Sequence, residues 1–258
     1  MSAVLEAVGI SVNFGGVRAL DNVDIEVREG QLVGLIGPNG AGKTTFIDAI
    51  TGFVPARGTV AVDGRDLSRL PPHARARRGL ARTWQSIELF DDLSVGENLA
   101  VSADRAGPWQ MVKQVLWKPA PPSTTIRETL DLLGLGAVID ASPADLAQGQ
   151  RKLVGVARAL AANPRLLLLD EPAAGLDTTE SHELGARLRR VVDAGLSMLL
   201  IDHDMGLVLN ICDYIYVLDF GVVIARGRPE EIRNDPKVIE AYLGSAATEV
   251  ADVSADAR

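Results

Sequence analysis

The nonapeptide GPNGAGKTT at residues 37–45, here called the P-loop, limits the possible folds more than any other stretch of this chain. It satisfies the pattern G-x-x-x-x-G-K-[ST] between an apolar run at 31–36 and a helical apolar pattern at 46–50. Its glycines allow the chain to turn from the end of a strand directly into a helix. We therefore expect an α/β protein in which this loop joins a buried strand to a helix.

Three apolar runs predict the strands of a parallel sheet. They lie at residues 31–36, 166–169 and 197–201, each beside a helical segment, as is typical of strands buried on both faces. The first 30 residues instead alternate apolar and polar positions and contain the turn signals FGG and REG. This alternation predicts an N-terminal antiparallel hairpin.

A helical segment is expected to interrupt the sheet. Ser94 with Glu97, and Thr125 with Glu128, have capping-box spacing, which predicts helices over 95–104 and 126–133. A late hairpin is predicted from the strands 214–218 and 222–226, followed by short helices around Glu230 and Val238. We expect one domain over 1–244, with a core of 1–90 and 164–244, a helical subdomain of 91–163 and a disordered tail of 245–258.

Composition excludes several classes of protein. A chain of 258 residues, 47% of them hydrophobic, can bury a substantial core, and its net charge of −8 argues against a general nucleic-acid binder. The basic run at 73–82 is interpreted as a solvated helix face, with contact to a phosphate backbone as the alternative.

Cys212 is the only cysteine, so a reducing cytoplasm is expected. No run reaches the roughly 18 apolar residues of a membrane span, so any membrane role is expected to come through a partner.

The P-loop residues predict a site for a polyphosphate. Successive backbone N–H groups can wrap the phosphates, the Lys43 ammonium neutralises the β and γ oxygens, and the Thr44 hydroxyl is a ligand for Mg²⁺. A simple glycine-rich turn explains neither Lys43 nor the hydroxyl.

The segment RLLLLDEP at residues 165–172 ends a leucine strand in two carboxylates. Burying such a pair is costly unless a cation or a reacting proton requires it. Asp170 suits Mg²⁺, and Glu171 is placed to polarise an attacking water. The alternative is a helix cap that follows a core strand.

These motifs, with LAQGQ at 146–150 (the signature segment), AAGLD at 173–177, Gln85 and His203, resemble those of ATP-binding cassette (ABC) ATPases over nearly the whole chain. The resemblance implies a P-loop NTPase core with a parallel sheet, an N-terminal antiparallel β subdomain and an inserted helical signature subdomain. It also implies ATP, Mg²⁺ and a second cassette, whose bound ATP is closed over by this chain's signature segment. The signature segment stands directly before a helical apolar pattern at 153–161, and a glycine at such a helix start suits the close approach of an anion.

The resemblance also assigns roles to single residues. Catalytic roles fall on Glu171, His203 and Gln85, and metal binding on Thr44, Gln85 and Asp170. Nucleotide binding in cis falls on Phe14, Gly37, Pro38, Asn39, Gly40, Ala41, Gly42, Lys43, Thr44 and Thr45. Contact with the partner's nucleotide falls on Ala147, Gln148, Gly149, Gln150 and Asp177.

Four of these residues keep a structural alternative. Phe14 is also compatible with the hairpin core, and Gln85 with a solvated loop. Asp177 has the spacing of an N-cap with Glu180, alone or together with its partner role. His203 follows a buried strand, where phosphate-reading loops gather in such sheets, but a single histidine is also common as a structural residue.

The second residue of the signature segment departs from the family pattern, LSGGQ. Ala147 stands where the family usually has a serine, and it cannot donate a hydroxyl to the γ-phosphate. A lost bond of this kind would weaken a closed dimer by roughly 1.5–3 kcal/mol per site, unless another group compensates. Slower hydrolysis and a heterodimer whose partner carries the serine are both compatible with Ala147.

The finer resemblance is to the ATPases of branched-chain amino-acid importers. It rests on the stretches 82–90, 173–177, 199–205 and 227–244. The last of these is the most telling, because ATP chemistry does not require it. It implies integral membrane permeases, indirectly a substrate-binding protein, and a place at the cytoplasmic face of the cell membrane. The alternatives are amide or urea uptake, lipopolysaccharide export, a soluble ABC ATPase and a regulator without turnover.

Two tryptophans in the predicted helical insertion, Trp109 and Trp117, are interpreted as packing within that insertion. Contact with a permease is their alternative.

Overall fold

An antiparallel sheet forms the N-terminal part of the chain. The computed structural model describes residues 2–84, 88–103 and 124–243. Strands β1 (Ala3–Phe14) and β2 (Val17–Arg28) pair antiparallel, as their alternating pattern predicts. Strands β4 (Arg57–Val62) and β5 (Arg65–Asp66) extend the sheet in the order β2-β1-β4-β5.

A six-stranded sheet in the order β10-β9-β3-β8-β7-β6 forms the centre of the fold. Strands β3, β6, β7, β8 and β9 run parallel, and β10 is antiparallel to β9, so the predicted parallel sheet and late hairpin are confirmed. Every residue of β3, β7 and β8 is buried. The strands are β3 (Leu32–Ile36), β6 (Leu80–Arg82), β7 (Leu166–Asp170), β8 (Ser197–Ile201), β9 (Tyr214–Asp219) and β10 (Val222–Gly227).

Helices surround this sheet, and the predicted ones are present. Ser94 N–H donates to Glu97 Oε2 at 2.8 Å and Glu97 N–H to Ser94 Oγ at 3.2 Å, which is the predicted capping box. The side chain of Thr125, the residues Trp109 and Trp117 and the tail 245–258 lie outside the described part. The helices are α1 (Lys43–Thr51), α2 (Pro72–Arg77), α3 (Val95–Ala103), α4 (Thr124–Leu132), α5 (Gln148–Ala161), α6 (Thr178–Asp193), α7 (Met205–Ile211), α8 (Pro229–Arg233) and a C-terminal helix over 236–243.

The central sheet separates two hydrophobic cores. In β3, Leu32 and Ile36 join a core formed with helices α3 to α7, whereas Val33 and Leu35 join a core formed with α1 and the antiparallel sheet. Covering both faces in this way is what a parallel sheet requires. The predicted fold class is therefore confirmed. The proposed division into a core and a helical subdomain stays a prediction.

The basic run at 73–82 is not a uniformly solvated face. Arg77 and Arg78 are exposed, but Arg75 is buried, and the side chain of Arg82 is only 7% exposed. The interpretation is wrong for these two residues because both reach inward. The Arg75 guanidinium donates to the carbonyls of Ala49 and Ile50 at the end of α1, and to those of Ser68 and Leu70.

No helix among the described residues combines the length and the apolar character that crossing a membrane requires.

We expect Arg75→Ala to lower the free energy of unfolding by about 3 kcal/mol, because several buried carbonyls lose a charged donor. Urea denaturation followed by circular dichroism measures this change. Arg77→Ala, which removes an exposed arginine from the same helix, should change stability by no more than about 0.5 kcal/mol. Equal effects of the two substitutions would contradict the structural role of Arg75.

Candidate functional site

The P-loop follows a path that side chains would obstruct. Gly40 and Gly42 adopt φ values of 77° and 106°, in the left-handed region that favours glycine. At Gly37, a Cβ atom would lie 2.0 Å from the carbonyl oxygen of Leu218 in β9. At Gly42, it would lie 2.9 Å from the carbonyl oxygen of Ala19 in β2. The loop is therefore held tightly between the two sheets.

Helix α1 begins at the end of this loop without a side-chain cap. Its N-cap is Gly42, so no side chain accepts from the N–H groups of the first turn. Such N–H groups, together with the helix dipole, form an anion site. The α1 N-terminus thus has the donors that a phosphate requires.

Lys43 is buried at this N-terminus. Its Nζ donates to the carbonyl oxygens of Gly37 at 2.6 Å and of Pro38 at 2.9 Å, and the residue is 7% exposed. Burial lowers the pKa of Lys43, and the nearby carboxylates of Glu171, Asp202 and Asp170 raise it. The amine is thus enclosed by the loop and faces acidic groups beyond it.

The end of β7 supplies the two predicted carboxylates. Asp170 is 5% exposed, and its N–H donates to Thr83 Oγ1 at 3.3 Å. Glu171 has φ 47°, a left-handed value that costs a residue with a side chain about 1–2 kcal/mol, and its N–H donates to the Ile201 carbonyl at 2.7 Å. Strained residues of this kind are concentrated at functional sites.

The end of β8 supplies an acid and a histidine. Asp202 is fully buried and accepts from the N–H groups of Ala173 at 3.3 Å and Asp204 at 3.0 Å. Burial raises the pKa of Asp202, and these hydrogen bonds oppose the rise. The His203 side chain is 59% exposed, with Nδ1 3.6 Å from Asp202 Oδ1 and 3.9 Å from Glu171 Oε2. The His203 ring therefore lies on the solvent side of Asp202 and Glu171.

Strand register brings these groups to one edge of the sheet. Ile201 lies opposite Leu35 of β3 on one side and Asp170 of β7 on the other. Asp170 is one of these paired positions and Glu171 follows it, while the P-loop and His203 come two residues after Leu35 and Ile201. The structure therefore brings together the residues predicted for the cis site, apart from Phe14 in the other sheet and Gln85, which lies outside the described residues.

The signature segment and Asp177 form a second group, at the N-termini of α5 and α6. A Cβ at Gly149 would lie 3.7 Å from Glu180 Oε1, and one at Gly175 would lie 2.9 Å from Gln148 Nε2. Asp177 accepts from Glu180 N–H at 2.8 Å, and Glu180 accepts from Asp177 N–H at 3.3 Å. The predicted N-cap role of Asp177 is therefore confirmed.

Ala147 occupies the N-cap position of α5. Its backbone is extended, and its N–H donates to Gln150 Oε1 at 3.2 Å, but its own side chain makes no capping bond. The family's usual serine would therefore stand at a position that helices favour for serine on structural grounds alone.

Phe14 lies at the end of the β1–β2 hairpin and is 51% exposed. The alternative that placed its ring in the hairpin core is therefore wrong. An exposed aromatic ring at this turn is available for stacking on a flat ligand.

Sequence reasoning missed two buried groups and a groove. Asp202 and Arg82 were not assigned roles, although both contact the acidic end of the sheet. The groove has a volume of 1260 Å³, and its wall is drawn from separate parts of the chain. Its aromatic and cationic lining residues are Phe53, His73, Arg75, Arg82, Trp84, Phe90, Lys152 and Arg158.

Comparisons with known proteins give a consistent result. A family profile described as "ABC transporter" matches residues 20–174, and one described as "Branched-chain amino acid ATP-binding cassette transporter" matches 222–248. The chain is 39% identical to the high-affinity branched-chain amino acid transport ATP-binding protein BraF of Pseudomonas aeruginosa, over 94% of this chain and 98% of the relative. It is 42% identical to LivG of Salmonella typhimurium, which has the same description, over 95% and 100%.

Solved structures agree with the sequence relatives. The ADP conformation of MJ1267, an ATP-binding cassette of an ABC transporter, superposes with a TM-score of 0.83. The two chains are 32% identical, and the similarity covers 95% of this chain and 100% of that one.

We expect Ala147→Ser to stabilise the nucleotide-free protein by about 0.5–2 kcal/mol, because the new hydroxyl would accept from the Gln150 N–H. Urea denaturation without nucleotide measures this gain. Ala144→Ser makes the same chemical change at an exposed position before the helix and should be nearly neutral. If the two variants are equally stable, position 147 is not an unfilled cap.

Proposed function

The chain belongs to the ABC transporter family, and from this membership we propose that it is the ATP-hydrolysing subunit of an importer of branched-chain amino acids. The membership itself confirms the resemblance expected from the motifs. The observation that carries the proposal is the meeting of the P-loop, Asp170, Glu171 and His203 at one edge of the sheet. The branched-chain substrate is supported by the descriptions of BraF and LivG and by the profile over 222–248.

ATP binding would use the free end of α1. The N–H groups of its first turn have no side-chain cap, and the Lys43 ammonium is held at the same loop by the carbonyls of Gly37 and Pro38. A triphosphate would supply acceptors for these donors. The buried Lys43 loses hydration in the folded protein, so an arriving phosphate would replace some of its lost solvation. Phe14 is exposed at the hairpin turn and would stack on the adenine ring.

Mg²⁺ would be held by Thr44, Asp170 and Gln85, all of which carry oxygen donors. The described residues contain no group of three or more His, Cys, Asp or Glu side chains arranged to hold a metal. Magnesium sites in nucleotide-binding proteins commonly use one or two carboxylates together with phosphate oxygens, so one buried Asp170 suits such a site. When bound, Mg²⁺ would neutralise charge on the β- and γ-phosphates.

Glu171 would act as the general base in hydrolysis. The water oxygen forms a bond to the γ-phosphorus, the bond to the β–γ bridging oxygen breaks, and the water proton passes to the Glu171 carboxylate. His203 would orient the γ-phosphate, since its ring lies 3.9 Å from Glu171 Oε2 and is open to solvent. The left-handed backbone of Glu171 fixes the direction in which its side chain leaves the strand.

A second cassette subunit would complete the site. The signature segment begins helix α5, whose N-terminus has no side-chain cap, and a glycine near such a helix start suits the close approach of an anion. In a head-to-tail dimer, residues 147–150 and Asp177 would meet the ATP that is bound by the partner. The dimer would act on integral membrane permeases at the cytoplasmic face of the membrane, and these in turn on a substrate-binding protein.

We expect Lys43→Ala to abolish ATP binding, because the P-loop loses its only side-chain charge.

Glu171→Gln should bind ATP normally but hydrolyse it about 10²- to 10⁴-fold more slowly, because the amide cannot accept the proton. Titration with a fluorescent nucleotide and steady-state phosphate release, with the permeases present, separate the two effects.

Lys237→Ala, which removes a lysine from an exposed position, is the control for charge and should change neither measurement. Nucleotide affinity unchanged in Lys43→Ala, or near-normal phosphate release in Glu171→Gln, would contradict the proposed site. Failure of the chain to copurify with permease subunits would contradict the transport role while leaving the ATPase assignment in place.

In the Glu171→Gln background, we expect Mg-ATP but not ADP to produce dimers, because only the triphosphate spans both surfaces. Gly149→Asp should prevent this by placing a carboxylate against the γ-phosphate, without affecting nucleotide binding by the monomer. Sedimentation with each nucleotide measures dimer formation. Gly149→Asn has the same size without the charge and should dimerise better than Gly149→Asp; equal behaviour of the two variants would refute an electrostatic contact in trans.

A further inference from the structure

A buried arginine joins the proposed metal site to the helix that follows the P-loop. Arg82 Nη2 donates to Asp170 Oδ2 at 2.8 Å, and Arg82 Nη1 donates to Asp48 Oδ1 at 2.5 Å. The side chains of Arg82 and Asp170 are 7% and 6% exposed. One guanidinium therefore connects β6, β7 and α1.

The same guanidinium lies against the wall of the groove. Its Cζ atom is 4.3 Å from the centroid of the Trp84 ring, and the Trp84 ring meets the Phe53 ring edge to face at 5.2 Å. Both rings line the groove and are about half exposed. Arg82 thus lies between the exposed aromatic pair Phe53–Trp84 and the buried carboxylate of Asp170, and it contacts Trp84 and Asp170 directly.

The geometry requires an arginine. A planar guanidinium can donate from two nitrogens to two acceptors in fixed directions, whereas the lysine ammonium is a point charge on a flexible stem. The two bonds of Arg82 go to different carboxylates, so each acid fixes the orientation of the group that holds the other. Loss of either acid leaves the Arg82 guanidinium with one partner only. The remaining acid is then held by a less constrained donor.

We propose that Arg82 is a positioning residue that orients the Asp170 carboxylate for Mg²⁺ and connects that orientation to the groove wall at Trp84. The inference rests on the proposed function, because it takes Asp170 to be a metal ligand. Partners that hydrogen-bond a ligating carboxylate commonly change metal affinity by 10- to 100-fold when they are removed. Arg82 holds Asp170 in this way through Oδ2.

Arg82→Lys tests this role because it keeps the charge and loses the two-directional donor. In the Glu171→Gln background, the dissociation constant of a fluorescent ATP analogue is measured in EDTA and at saturating Mg²⁺. The ratio of the constant in EDTA to the constant at saturating Mg²⁺ reports how much the metal contributes to binding. We expect Arg82→Lys to reduce this ratio about tenfold, with the constant in EDTA nearly unchanged.

Asp48→Asn provides a second variant, in which Arg82 and Asp170 are both kept. Its effect should have the same direction and a smaller size, because Asp48 contacts the site through Arg82. Asp63→Asn is the matched control: it removes one carboxylate from the exposed pair with Arg165, at a left-handed position that asparagine tolerates. That control should leave the ratio unchanged.

An unchanged ratio in both Arg82→Lys and Asp48→Asn would overturn the proposal, and so would equal weakening with and without Mg²⁺, which indicates damage to the P-loop. If Arg82→Lys does not fold, as judged by thermal melting, Asp48→Asn against Asp63→Asn decides. Failure of the parent protein to bind ATP, or to bind it better with Mg²⁺, would instead refute the proposed function. The two failures are therefore distinguishable.

Discussion

The pairing of β3 with β8 on one side and β9 on the other is the constraint on which the candidate site depends. Leu35 lies opposite Ile201 in one neighbour and Tyr216 in the other, so β3 has no freedom to slide. A shift of one residue would turn its buried side chains to the wrong core. It would also move Gly37 away from the Leu218 carbonyl, against which the P-loop fits without room for a Cβ atom.

Local patterns predicted the parts of the fold that local physics determines. The buried runs at β3, β7 and β8, the N-terminal hairpin and the caps at Ser94 and Asp177 are each encoded within a few residues. The P-loop motif likewise marks its own glycines, and two of them, Gly40 and Gly42, adopt left-handed backbone angles. The convergence of the acidic residues also follows, because parallel strands end at the same edge of a sheet.

The remaining features depend on contacts between distant parts of the chain. Arg82 is 34 residues from Asp48 and 88 from Asp170, and nothing near it in the sequence identifies these partners. Arg75 was interpreted as a surface residue because its neighbours are basic, yet it reaches the end of α1. The groove was missed for the same reason, since its wall exists only after the chain has folded.

Glu171 sets the requirements of folding against those of chemistry at a single residue. Its left-handed backbone costs any residue with a side chain about 1–2 kcal/mol, and glycine alone would adopt it freely. Selection for stability alone would therefore favour glycine here, and that change would remove the proposed base. The strained carboxylate marks a position where optimising the fold and preserving turnover require opposite choices.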